Sequence, residues 1–186
     1  DKLLVMGLGE IQQTNNENKN ELKNHNFLLW GDNNEMLKME SSATDLNRLL
    51  VLQRKWLIQA TGEETKDNAF TLQFDTKQGF ETNTKNATYL LVIDTSGTGD
   101  FLPENTIYKS SQGISDTGIL TFSNITWDAD GSGTDVFTFT EVLPLTLEIS
   151  EGKPLQCDAL NNGVISYQSL GGVYPLSYEL TATETS

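Results

Sequence analysis

The feature that most constrains this chain is an apolar pattern of period 2, carried by short segments. Leu50, Leu52, Trp56, Ile58 and Ala60 alternate with Leu49, Val51, Gln53, Lys55 and Gln59, and Phe70, Leu72 and Phe74 alternate with Thr71 and Gln73. Successive side chains of a strand point to opposite faces, so this pattern suits strands with one face in a core. Residues 50–60 read as one long strand. Tyr89 to Ile93 is unbroken apolar sequence, as expected of a strand buried on both faces. Ile119–Phe122, Asp135–Phe139 and Leu145–Ile149 extend the series in β-branched and aromatic residues. Between them lie turn-forming clusters, among them Gly31-Asp-Asn-Asn34, Gly97-Thr-Gly99 and Asp130-Gly-Ser-Gly133. Helix signals are poor. Asn15 to Asn26 offers only Leu22 as an apolar anchor and reads as an ordered polar loop. Strands at this spacing predict an all-β antiparallel β-sandwich rather than alternating βαβ units.

Pro144 follows the Phe137/Phe139 segment, and the sequence changes character beyond it. The expectation is a β-sandwich over 1–143 and a small β-sandwich-like module over 145–186, short enough that its own core is marginal. The chain opens on Asp1, without Met and within the strand-like run Leu3–Gly7. It therefore reads as a fragment of a longer processed protein, truncated at the start of its first domain and within its second.

Charge narrows the partners. Against 26 acidic side chains stand 12 basic ones, a formal net charge of −14. Such a field repels phosphate backbones and anionic lipid surfaces, which argues against nucleic acid and peripheral membrane partners. No apolar run approaches the ~20 residues of a membrane-spanning helix, so no membrane insertion is expected. The single Cys157 excludes an intrachain disulfide framework and reads as an inert, buried thiol; His25, the one histidine, sits apart in a polar stretch.

Two acidic glycine loops are the candidate metal sites. Calcium loops place oxygen ligands at alternate positions and glycine at the sixth, with a bidentate Glu at the twelfth. In the first loop Asp94, Ser96 and Thr98 fill the alternate positions, Gly99 the sixth, and Asp100 follows; the twelfth is Asn105. In the second, Asp128 and Asp130 supply carboxylates before Gly131, Ser132 and Gly133, with Asp135 beyond and Phe139 at the twelfth. Asp94, Asp100, Asp128, Asp130 and Asp135 are thus the candidate calcium ligands. The structural alternative is a pair of turns whose Asp side chains cap backbone amides.

Catalytic readings fail on inventory. Gly131-Ser-Gly133 lacks the spacing of a nucleophile elbow and an accessible His. No carboxylate pair stands out for glycoside hydrolysis among so many acidic residues. Trp30, Trp56 and Trp127, with Tyr89, Tyr108, Tyr167, Tyr174 and Tyr178, could stack on sugars. Trp56 lies in a strand alternation and reads as core, Trp30 and Trp127 sit at strand ends beside the acidic loops, and packing is favoured for each. The sequons at Asn86 and Asn124 read as surface loops.

Several pieces together resemble a β-sandwich domain of large secreted proteins from gliding and related Bacteroidota. They are Leu3-Leu-Val-Met-Gly-Leu-Gly9-Glu-Ile11 with Asn15–Asn18, Asn26-Phe-Leu-Leu-Trp-Gly-Asp32, Leu46-Asn-Arg-Leu49 with Trp56 and Thr61-Gly62, and Tyr89–Asp94 with Gly97, Gly99, Asp100 and Phe101. Residues 145–180 resemble the gliding-adhesin (SprB-type) repeat through Cys157, Gly163 before a strand, Gly171-Gly172-x-x-Pro175 and Tyr178. Leu176 stands where that pattern has Tyr, and no Trp follows Tyr178. The resemblance implies export by the type 9 secretion route and an extracellular or outer-membrane-attached location. It also implies a non-enzymatic structural or adhesive role, in contact with the secretion machinery in transit and with a polysaccharide or other surface ligand. The alternative is a carbohydrate-binding or accessory domain of a secreted hydrolase.

Overall fold

In the computed structural model, residues 3–14, 16–41, 50–78, 87–142, 145–153, 164–170, 177 and 179 are described. The chain divides into two compact units, Asp1–Val142 and Leu143–Ser186. The first is an antiparallel β-sandwich.

One layer of the sandwich is the sheet β1 (Leu4–Leu8), β6 (Phe70–Asp75) and β9 (Ile119–Ile125), with β6 in the middle. The other is organised on β10 (Thr134–Val142). The first half of β10 pairs with β5 (Trp56–Thr61) and the second with β4 (Leu50–Leu52), while β7 (Thr88–Asp94) runs along its other side. β2 (Phe27–Asp32) flanks β5, β3 (Met39–Ser41) flanks β4, and β8 (Thr106–Ser110) flanks β7. Among the described residues the α-helix is a single short one, α1 (Glu63–Asp67), and no helix is long and apolar enough to cross a membrane.

Alternation decides which side chains enter the core. Trp56, Ile58 and Ala60 of β5 face inward, as do Phe70, Leu72 and Phe74 of β6 and Leu120 and Phe122 of β9. β10 is buried on both faces: Phe137 and Phe139 point into the core, and Val136 and Val142 pack outside it with Val92 and Leu90 of β7. Trp56 stacks on Phe137 at 5.5 Å, Phe74 meets Phe139 at 4.4 Å, and Trp127 lies 5.2 Å from Phe137. Such pairs contribute about 0.5–1.5 kcal/mol each beyond burial of area.

The structure corrects the sequence reading in two places. Residues 50–60 are not one strand; Gln53–Lys55 interrupts it, splitting β4 from β5. The Thr138 hydroxyl, buried opposite this break, lies 2.9 Å from both Leu52 O and Arg54 O, so the interrupted carbonyls find a donor within the neighbouring strand. Asn124 belongs to β9 rather than a loop. The register of β6 against β9 shifts between Phe70 and Leu72, and Asn124, opposite that shift, takes φ 56° with its side chain exposed. Asn accepts the left-handed region more readily than most residues, which suits a bulge.

The second unit contains β11 (Thr146–Lys153) paired antiparallel with β12 (Val164–Leu170). Leu145, Leu147 and Tyr167 are each about half exposed on it. Cys157, Asn86, Tyr174 and Tyr178 lie outside the described residues.

Candidate functional site

Both acidic loops fall at the same end of the large sheet. β7 ends at Asp94, which sits opposite Val136 near the start of β10. The loop after Asp94 and the loop before Thr134 are therefore neighbours. Ser132 Oγ donates to Thr95 O at 3.3 Å. Gly97 takes φ 70°, and a Cβ there would meet Thr134 Oγ1 and lie 2.8 Å from Thr134 O. Only glycine allows the two loops to close on each other at this point.

The first loop is wound around a single carboxylate. Asp94 is fully buried. Its Oδ1 accepts Ser96 N–H at 3.0 Å and Ser96 Oγ–H at 2.6 Å. Its Oδ2 accepts Thr98 Oγ1–H at 3.2 Å and the amides of Gly99, Asp100 and Phe101 at 2.7, 3.1 and 3.4 Å. Burial would push this carboxyl up, but the donors from Ser96, Phe101 and Gly99 outweigh it and hold Asp94 below its ordinary value. Phe101 pays for the turn with φ 53°, unusual for a bulky side chain. Its ring packs with Val92 and Val136, under the Lys55 ammonium 5.0 Å away, which also donates to Gly99 O at 2.8 Å. Asp100 itself is exposed.

The second loop is built differently. Asp128 takes φ 55°; its Oδ1 accepts Gly133 N–H at 2.6 Å and its Oδ2 lies 3.5 Å from Lys66 Nζ of α1. Asp130 is exposed and caps Ser132 N–H at 3.0 Å. Asp135 has the inward parity of Phe137 and Phe139 and is 1 % exposed. One of its oxygens, Oδ2, accepts Asp128 N–H at 2.7 Å; the other, Oδ1, is buried with no partner. Burial first, then the charges of Asp130, Asp128 and Asp94, push this carboxyl up to about 7, against the pull of the Asp128 amide.

The structure thus brings Asp94, Asp128, Asp130 and Asp135 to one end of the sandwich and leaves Asp100 at its rim. Among the described residues no three Asp, Glu, His or Cys side chains are placed to hold a metal ion together. Lys66 and the short helix carrying it were missed from the sequence, because Glu63–Asp67 has no apolar face to announce it.

The aromatic candidates separate. Trp56 and Trp127 are core residues; Trp30, on the edge strand β2, is 46 % exposed. On the other face of the sheet from Trp30, which pairs with inward-facing Ile58, a shallow groove of about 410 Å³ is lined by Gly31, Asp32, Lys55, Leu57, Thr98 and Val136, among others. A Cβ at Gly31 would meet nothing within 4 Å, so this residue leaves the floor open.

A two-layer antiparallel sandwich with paired acidic loops at one end is the class of domain these observations define. The chain belongs to the family described as Domain of unknown function (DUF8202), whose model matches residues 1–132. That match stops just before β10, the strand on which the large sheet is organised. No curated protein and no solved structure matches the chain.

Proposed function

We propose that this chain is a non-enzymatic segment of a large secreted or cell-surface protein, exported by the type 9 route and serving as a structural or adhesive module. The observation that carries the reading is the use made of its most chemically capable side chains. Asp94, Asp128 and Asp130 each accept backbone amides of their own loop, and Trp56 and Trp127 fill the core. These residues hold the end of a sandwich together, which is what a load-bearing or ligand-presenting module requires. The acidic surface keeps such a module soluble and apart from anionic membranes and nucleic acids. Its outward contacts would be with extracellular polysaccharide or another surface ligand.

A second reading, a carbohydrate-binding accessory domain, draws on Trp30, an aromatic ring about half exposed on the edge strand β2. Stacking of a sugar ring on an exposed aromatic would be its mechanism. A glycan array separates the two. Selective binding abolished by Trp30→Ala would replace the structural reading with the accessory one. The sequence of the whole gene is the companion test: tandem copies of these modules support a stalk, and an adjoining hydrolase domain supports the accessory.

A further inference from the structure

The two acidic loops share a sequence spacing, yet only one of them has oxygen to spare. Asp94 directs both oxygens at six donors of its own loop. Nothing is left for an ion without unwinding that loop. Asp128 and Asp135 are each 1 % exposed and are held side by side, since the Asp128 amide donates to Asp135 Oδ2 at 2.7 Å. On Asp135 the remaining oxygen is buried and unpartnered, an arrangement native proteins rarely leave standing. On Asp128 the remaining oxygen has only a long approach from Lys66, at 3.5 Å. Of two carboxyls out of water, one therefore has a partly exposed ammonium at long range and the other has none, and buried carboxylates need a compensating positive charge or a metal.

We propose that Asp128 and Asp135 hold one hard divalent cation, of the calcium type, at the β9–β10 end of the sandwich. Asp135 Oδ1 and Asp128 Oδ2 are the oxygens that take it, and Asp130, exposed on the same loop, supplies a further carboxylate by turning away from Ser132 N–H. Oxygen-only ligation suits calcium rather than a softer metal. Lys66 is the residue such an ion displaces. The first loop is the scaffold against which this one closes and does not bind the ion.

The test uses the full chain, stripped with chelator and titrated with calcium at pH 8 by calorimetry. The expected result is one ion per chain with a dissociation constant of roughly 0.1–1 mM, the range of extracellular modules, and a melting temperature that rises in 10 mM calcium. Asp135→Asn should remove the heat and the calcium-dependent rise, while Asp100→Asn on the first loop keeps both. Terbium offers a readout on the unaltered chain: Trp127, adjoining Asp128, should sensitise its luminescence, and calcium should quench it by competition. Absence of binding at 10 mM calcium overturns the proposal. So does full binding by a folded Asp135→Asn, or loss of binding in Asp100→Asn.

Discussion

Asp94→Asn is the substitution that tests most directly how the sandwich end is built. The side chain keeps its shape but exchanges one acceptor oxygen for an NH2 donor and loses its charge. The least damaging orientation sets the amide oxygen where Oδ2 accepts Thr98, Gly99, Asp100 and Phe101, and turns the NH2 toward Ser96. The Ser96 hydroxyl can rotate to accept from it. The Ser96 amide, 3.0 Å from Oδ1, cannot and is stranded in a partly buried site. An orphaned donor costs about 1–3 kcal/mol, and the remaining bonds fall from the charge-assisted range of about 1.5–3 kcal/mol toward the neutral range near 1 kcal/mol. The sum, discounted because the loop can relax, is about 3 kcal/mol, or about 10 °C in melting temperature for a unit of this size.

Urea unfolding of both chains between pH 7 and pH 3 measures this. Asp94 is held below its ordinary value in the folded state. Its stabilisation is therefore fully present above the unfolded carboxyl value near 4 and is lost as pH falls through the folded value. The gap between wild type and variant should be widest at pH 7 and narrow below about pH 4. A gap under about 1 kcal/mol at pH 7, well short of the orphaned-donor range, would refute the reasoning. So would one that stays constant to pH 3.

Three further outcomes are expected. In excess chelator, stability of wild type should fall as pH rises from about 4 to about 7 and then level. Folded Asp135, pushed up to about 7, keeps a proton the unfolded chain releases, worth at most about 4 kcal/mol; Asp135→Asn should flatten that slope, and an unchanged slope would sink the assignment. Thr138→Val should cost about 1–3 kcal/mol in urea melts, because Leu52 O and Arg54 O lose their donor across the break between β4 and β5. Gly97→Ala should destabilise by a few kcal/mol through both the Thr134 clash and the left-handed backbone, and a neutral result would show that the two loops do not close as described.

What could be read from sequence follows from what periodicity encodes. Tyr89–Ile93 reads as doubly buried because no polar residue interrupts it, and the strand is buried from Tyr89 to Asp94. Phe70, Leu72 and Phe74 read as one inward face and form one. The break at Gln53–Lys55 is illegible because Trp56 resumes the parity of Leu52; only the cross-strand hydroxyl of Thr138, far along the chain, reveals it. β2 and β3 escape a period-2 reading because edge strands need little burial: Phe27, Leu29 and Trp30 are all about half exposed. Trp127 reads as packed and is fully buried against Phe137, whereas Trp30, read the same way, is 46 % exposed because it sits on an edge strand.

The loops show where spacing alone stops being informative. Both follow the alternate-oxygen pattern, and in both the leading Asp accepts the amide of the glycine five residues on: Asp94 from Gly99, Asp128 from Gly133. Their chemistry then separates because of a residue outside the pattern. After Gly99 the chain curls back, delivering the Asp100 and Phe101 amides to the same carboxylate oxygen, and that demand is met within the loop. After Gly133 it enters β10 directly, and strand parity carries Asp135 inward, where Asp128 supplies one amide and nothing supplies a second donor. One loop closes on its own charge; the other keeps a buried carboxylate oxygen in need of a proton or a cation. That difference is set by the strand, not by the motif, and it is why the Asp135 variant carries more information than any substitution at the consensus positions.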